Sequence, residues 1–465
     1  MNIHIKSAFG ALAFSLLFYS KSFGLNTVLI AIIVLVMLTS VRKERPVPWA
    51  YAATYFFSAL MVFFDPTSFK IFVHFIVFLV LVGKWISRTS PIYLSGLMGA
   101  VNMLVASLAP MASGETSGHK RKKLSPKTIR YGKGFLAAGI LVIFFSLLYR
   151  TANPVFDGLI DQINLDFISM PWVFFTLLGY VLFLHLLRPY HPTDLIVIDQ
   201  QQPDELKVPT SPFSIPQLEK LRNLQTTGSI VLLTLNVLLL IFLVTDGIYL
   251  LQSASIPNSG YSQAVHEGVY ALMLSVVCAI AIILYFFKGD LNFYKGNERI
   301  KKLTYLWIVL NMVLILFTCY KNFEYVDALG LTYKRIGVFV YLLLTLSGLV
   351  TAYLKISRTQ SFMYMVRTNI AVVFVMLTLS SCIPWDRAIT HYNLSHIENP
   401  DIAYLINIGE TNSAQLFRYA KRNPQNVPQN LRNRIDIKYS DFQQIQDQRS
   451  WQEYTSHHLL KSINP

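Results

Sequence analysis

Apolar positions in this chain come in long unbroken runs. Eleven of them fall near 4–20, 23–41, 48–64, 69–84, 134–150, 170–188, 228–250, 268–287, 303–320, 336–354 and 368–384. Each approaches the ~20 apolar residues that a helix needs to cross a hydrocarbon layer. Lipid offers no partner to open backbone groups, so such runs are expected to be helical. The alternating strands of a membrane barrel are missing from the pattern. The expected fold is an all-α, polytopic transmembrane bundle.

A twelfth stretch, 92–109, has a different rhythm. Leu94, Leu97, Met98, Val101, Leu104, Val105 and Leu108 recur every three or four residues, with Ser95, Gly99, Asn102 and Ser107 mostly elsewhere on the wheel. That amphipathic pattern predicts a helix lying at the membrane interface. If it crossed instead, the bundle would have twelve spans.

Charge sets the expected orientation. The segment 117–134 carries Lys120, Arg121, Lys122, Lys123, Lys127, Arg130 and Lys133 and no acid. Arg42, Lys43 and Arg45 form another basic turn, as do Lys295, Arg299, Lys301 and Lys302, and Lys355, Arg358 and Arg367. Lys and Arg collect on the cytoplasmic side of membrane proteins. With all four segments inside, and 92–109 not crossing, the N-terminus is cytoplasmic and everything after 385 is extracytoplasmic. The connections 151–167, 251–267 and 321–335 then lie outside. The Pro-rich loop 189–226 lies inside and is expected to be irregular, with "IPQLEKLRNL" leading along the interface into the next span.

Two polar stretches acquire a reading from this topology. In "TANPVFDGLIDQINLDF" (151–167), Asn153 suits an N-cap and Pro154 the first helical position. Val155, Leu159 and Ile163 share a face, and Asp157 and Asp161 sit one turn apart on the other, which predicts an outer interfacial helix. The tail has no span. "DIAYLINIGETNSAQLFRYAKRN" reads as two short helices joined at Gly409, the second capped near Thr411 or Asn412, and a further helix follows Pro424 and Pro428. The chain therefore divides into an N-terminal membrane region, 1–112, with four spans and the interfacial helix. A basic linker, 113–133, leads to a membrane core of seven spans, 134–385, and then to a small extracytoplasmic helical tail, 386–465.

Composition agrees. The chain has 465 residues, 53% of them hydrophobic and only 14% charged, against about 25% charged in a soluble domain. The net charge of +15 follows from the basic loops and does not point to nucleic acid. Cys278, Cys319 and Cys382 all lie in apolar runs and read as small core residues.

The words "TANPVFDGL", "YSQAVHEGVYAL", "DALGLTYKRIGVF" and "DRAITHYNLSHIENPDIAYLINIG" follow one another between spans. In this order they resemble the bacterial inner-membrane proteins grouped as domain of unknown function 4153/4173, over roughly residues 134 to 410. The resemblance implies a multi-pass topology and an inner-membrane address. It implies no catalytic residue and no cofactor.

Candidate chemistry gathers on the expected outer side. Asn153, Asp157, Asp161, Asp246, His266, Glu267, Glu324, Lys334 and Arg335 would converge there if the bundle is compact. Two carboxylates four apart repel by about 0.2–0.5 kcal/mol on an isolated helix, and Lys334 or Arg335 would relieve that. Ionisable groups within spans often mark function, which singles out Asp246. His74 and His185 read as hydrogen-bonded structural histidines, and Asn236 and Asn311 as bonds across helices. Adjacent His266 and Glu267 point apart on a helix and argue against a shared metal. There is no phosphate-binding loop, no H-E-x-x-H and no G-x-S-x-G with partners. Three readings remain. The first is a non-catalytic envelope sensor, scaffold or assembly factor whose tail meets a protein partner. The second is a transporter of a small solute or ion, lined by Asp246, His266 and Arg335. The third is an enzyme acting on a lipid-linked substrate through Asp157 or Asp161 with Arg335.

Overall fold

The computed structural model describes residues 2–41, 47–105, 126–153, 156, 169–190, 193–253 and 261–458. Apart from Phe156, the expected helix over 154–167 lies outside them, as do most of the basic linker and residues 106–109. Among the described residues the chain is helical, with one isolated antiparallel bridge between Glu205 and Gln360. The helices are α1 (Ile3–Phe18), α2 (Leu25–Val41), α3 (Trp49–Phe64), α4 (Ser68–Ile86), α5 (Ile92–Val105), α6 (Pro126–Ala152), α7 (Met170–Leu187), α8 (Thr193–Gln200) and α9 (Ile215–Ser253). They continue as α10 (Tyr261–Phe286), α11 (Glu298–Leu329), α12 (Tyr333–Ser357), α13 (Phe362–Ser381), α14 (Trp385–His396), α15 (Ile402–Asn407), α16 (Ser413–Arg422) and α17 (Gln429–Asp447). Of the eleven expected runs, six (α4, α7, α9, α11, α12 and α13) reach the length and apolarity needed to cross a membrane. α1, α2, α3, α5 and the described end of α10 are shorter apolar helices. This is a helical membrane protein.

Local chemistry sets the helix starts. Thr67, Ser169, Thr332 and Ser361 each accept a hydrogen bond from the backbone N–H three residues on, at 3.2–3.4 Å, which satisfies one of the open donors of a first turn. Gly330, with φ 85°, ends α11 in the left-handed region.

Packing produces two apolar cores within the bundle. One gathers α1–α5 and α7 around Leu38, Leu81, Met98 and Leu186. The other gathers α9–α12 around Ile283, Ile308 and Leu349. α13 gives Phe374 to the first and Met365 to the second. α7, assigned from sequence to the region 134–385, thus packs with the N-terminal helices. A Cβ on Gly10 would meet the Phe183 ring at 2.5 Å, so α1 and α7 approach closely.

α5 buries polar and apolar positions together. Ser95 and Asn102 are buried with Leu94 and Met98, while Leu97 and Leu104 are 50% and 75% exposed. A Cβ on Gly83 would lie 1.8 Å from Ser95 O, and one on Gly99 would lie 2.0 Å from Leu79 O. Small residues let the α4 and α5 backbones touch, the way helices pack in lipid. The polar side of the wheel faces protein.

The loop 189–226 is also more ordered than its prolines suggest. It contains α8, and α9 runs on unbroken from Ile215. Arg367 on α13 pairs with Asp199 at 3.0 Å and Asp204 at 2.5 Å. Leu206 N donates to Thr359 O at 3.0 Å, and Ser361 N donates to Asp204 O at 2.6 Å. Cys278 is exposed on α10, not a core residue.

The four C-terminal helices have a third apolar cluster, with Ile389, Leu405 and Leu416 fully buried. Gly409 joins α15 to α16 as expected, and Asn412 is the N-cap. The chain end then returns to the bundle. Leu25 N donates to Tyr454 O at 2.8 Å. Ser22 N donates to Glu453 Oε1 at 2.7 Å, and Ser456 Oγ to Phe64 O at 2.8 Å. The α1–α2 turn and the end of α3 therefore share one end of the bundle with the C-terminal helices.

Candidate functional site

Of the nine residues singled out from sequence, the structure describes the side chains of five: Asn153, Asp246, Glu324, Lys334 and Arg335. Asp246, on α9 and 9% exposed, forms an ion pair with Lys321 of α11. Its other carboxylate oxygen makes no hydrogen bond among the described residues. Arg335 is 9% exposed and occupied: Nη1 donates to Leu329 O at 3.0 Å and to Gly330 O. Its guanidinium carbon also lies 4.0 Å from the centre of the Tyr325 ring. It holds the open carbonyls at the end of α11. Glu324 and Lys334 are exposed. Asn153 is exposed after α6 and accepts from Phe156 N at 3.4 Å, consistent with a cap. Asp157 and Asp161 lie outside the described residues. His266 and Glu267 fall on α10, but their side chains lie outside the description. No ion pair among the described residues joins two of the nine.

The structure does bring together two of the sequence words. The Gly330-Leu331-Thr332 turn between α11 and α12 meets α14. Asn393 Nδ2 donates to Leu331 O at 2.9 Å, and Asn393 Oδ1 accepts from Leu331 N at 2.6 Å. Asp386, 4% exposed, accepts from the Tyr333 hydroxyl and from Thr411 Oγ1 at 2.9 Å. Tyr404 Oη accepts from Tyr333 N at 3.0 Å. A Cβ on Gly330 would come within 2.6 Å of Asn393 Oδ1, and one on Gly409 within 2.2 Å of Asp386. The two glycines admit the two polar side chains. Sequence reasoning overlooked Asp386 and Asn393. Asn393 bonds to main chain 62 residues away, and a backbone partner has no sequence signature.

Below this junction Lys438 of α17 is buried. Its ammonium donates to Ile406 O at 2.6 Å, to Gly409 O and to Asn412 Oδ1 at 3.0 Å. Burial pushes its pKa below the ordinary lysine value, against the raising influence of Glu410 and Asp386. It anchors the end of α15.

Beside the junction, α14 and α16 diverge around an open cavity of about 830 Å³. Arg387 and His391 of α14 line one side, and Arg418 and Arg422 of α16 the other. Phe442 of α17 and His457 close it. Among the described residues no group of three or more His, Cys, Asp or Glu is arranged to hold a metal.

A family described as Domain of unknown function (DUF4153) matches residues 7–419. The match begins at α1, well before the stretch whose motifs carried the resemblance. No curated protein and no solved structure matches the chain.

Proposed function

The chain belongs to the family of the domain of unknown function DUF4153, and from that premise we propose a multi-pass protein of the bacterial inner membrane acting as a non-catalytic sensor, scaffold or assembly factor. The basic segment 117–134 supports an N-terminus in the cytoplasm and C-terminal helices on the outer side. One observation carries the functional reading. α14–α17 are tied to the ends of the membrane helices by directed, partly buried hydrogen bonds, above all Asn393 to Leu331 and Asp386 to Tyr333. A partner that binds these helices would bear directly on the α11–α12 turn. The partner we infer is an envelope protein.

A second reading, transport of a small solute or ion, has its own support. The Asp246–Lys321 pair joins two apolar helices, and ionisable groups in such helices often line ion or proton paths. The lipid-linked enzyme reading has less support, since Arg335 Nη1 is engaged by the carbonyls at the end of α11.

Complementation separates the first two. In a deletion strain grown under envelope stress, a chain truncated after residue 384 is expected to fail and Asp246→Asn to restore growth. Failure of Asp246→Asn with success of the truncated chain would favour transport.

A further inference from the structure

We propose that the cavity between α14 and α16 binds a phosphate monoester carried on a small organic group. Two of its arginines are held in place by their inner nitrogen. Arg387 Nε donates to Thr411 O at 3.1 Å, and Arg418 Nε donates to Ala414 O at 3.1 Å. Their outer N–H groups, the fork that grips phosphate or carboxylate oxygens in pairs, make no hydrogen bond among the described residues. Arg422 follows Arg418 by one helical turn on the same lining face. Like charges at this spacing destabilise a helix, and none of the three arginines forms an ion pair among the described residues. An anion in the cavity would remove that repulsion.

Charge and size narrow the ligand. Three guanidiniums face one lining carboxylate, Glu398. A phosphate monoester brings about −1.5 to −2 at pH 7, which matches that excess better than a single carboxylate. The volume of about 830 Å³ exceeds inorganic phosphate and lies in the range of small-molecule sites. Leu394 and Phe442 supply apolar wall for the organic part.

Position gives binding a consequence, and here the inference rests on the function proposed above. Thr411 serves both networks: its carbonyl takes Arg387, and its hydroxyl donates to Asp386. Asp386 in turn holds Tyr333, the first residue of α12. A ligand gripping Arg387 would act one residue from that bond.

The test uses the full chain in phosphatidylcholine nanodiscs. Two probes carry the same monoester: soluble glycerol 3-phosphate, read by calorimetry, and phosphatidic acid in the nanodisc, read by its protection of α14 and α16 from hydrogen exchange. Wild type is expected to bind at least one of them. Binding of the soluble probe assigns a soluble ligand, and a response to phosphatidic acid alone assigns a lipid headgroup. The double variant Arg418→Gln/Arg422→Gln should weaken binding by about ten- to a hundredfold. Arg418→Lys/Arg422→Lys keeps the charge and loses the fork, and should fall between. Lys421→Gln is the control, because Lys421 stacks on Phe417 and is not part of the lining. It should bind as wild type does. Binding of neither probe, or equal loss in the Lys421 and arginine variants, overturns the proposal. The truncation experiment reads function without either probe, so the two ideas fail separately.

Discussion

Asn393 and Leu331 form a closed pair. The carboxamide of the first takes both main-chain polar groups of the second, at 2.9 and 2.6 Å. The turn between α11 and α12 is thereby completed by a helix that follows it by about sixty residues. Asn393→Ala should leave the partly buried Leu331 N–H and C=O without their side-chain partners, at a cost of about 0.5–1.5 kcal/mol for each hydrogen bond lost. Exchange at the Leu331 amide, measured in nanodiscs, should rise sharply while exchange in the middle of α11 stays slow. Unchanged protection at Leu331 would contradict the pairing.

A second prediction concerns the turn between α3 and α4. Asp65 and Lys70 form an ion pair at 3.0 Å with both side chains 4% exposed. Removing one partner strands a buried charge, so Lys70→Met should destabilise by about 3–5 kcal/mol. Asp65→Leu with Lys70→Met should recover most of that loss. A double-mutant cycle on denaturation in detergent measures the coupling, and additive single effects would refute it.

Close helix contact gives a third. Gly99→Ala places a methyl 2.0 Å from Leu79 O and should lower stability by about 1–3 kcal/mol through overpacking. Gly337→Ala meets nothing within 4 Å and should be neutral or stabilising by up to about 1 kcal/mol. Melting temperatures of the two variants test the ordering.

The C-terminal dock should respond to acid. Burial alone would raise the Glu453 carboxyl. Hydrogen bonds from Ser450 and from Ser22 N–H, with the Lys21 charge, outweigh burial and hold it below the ordinary carboxylate value. A carboxyl depressed in the folded state adds stability above its unfolded pKa and loses it as pH falls through the folded one. Melting temperature should therefore drop between about pH 5 and about pH 3, and Glu453→Gln should flatten that part of the curve. Parallel curves for both chains would reject the assignment.

The helices were legible where lipid dictates them. The runs 48–64 and 170–188 became Trp49–Phe64 and Met170–Leu187, because an unbroken apolar run without strand alternation satisfies its backbone in lipid as a helix. His74 and His185 were legible as structural: their ring nitrogens bond Ser58 Oγ and Met103 O, each at 2.8 Å. Asn236 bonds across to Leu303 O at 3.0 Å as expected, but among the described residues Asn311 bonds only within its own helix, to Trp307 O. The wheel of α5 did not reveal that Ser95 and Asn102 are buried, because amphipathicity does not say whether the polar side meets water or a neighbouring helix. The partner of Asp246 was missed although Lys321 lies at a matching depth on α11. That depth match was readable, but which helices adjoin was not.

The central claim is that the C-terminal helices work through the α11–α12 turn, and one variant isolates it. Asn393→Ala keeps every helix and removes the clamp. Expressed in a deletion strain at the wild-type membrane level, it is scored for growth under envelope stress beside wild type and the chain truncated after residue 384. The account predicts that it behaves as the truncated chain does. Full complementation by Asn393→Ala, with the truncated chain failing, would contradict coupling through this turn.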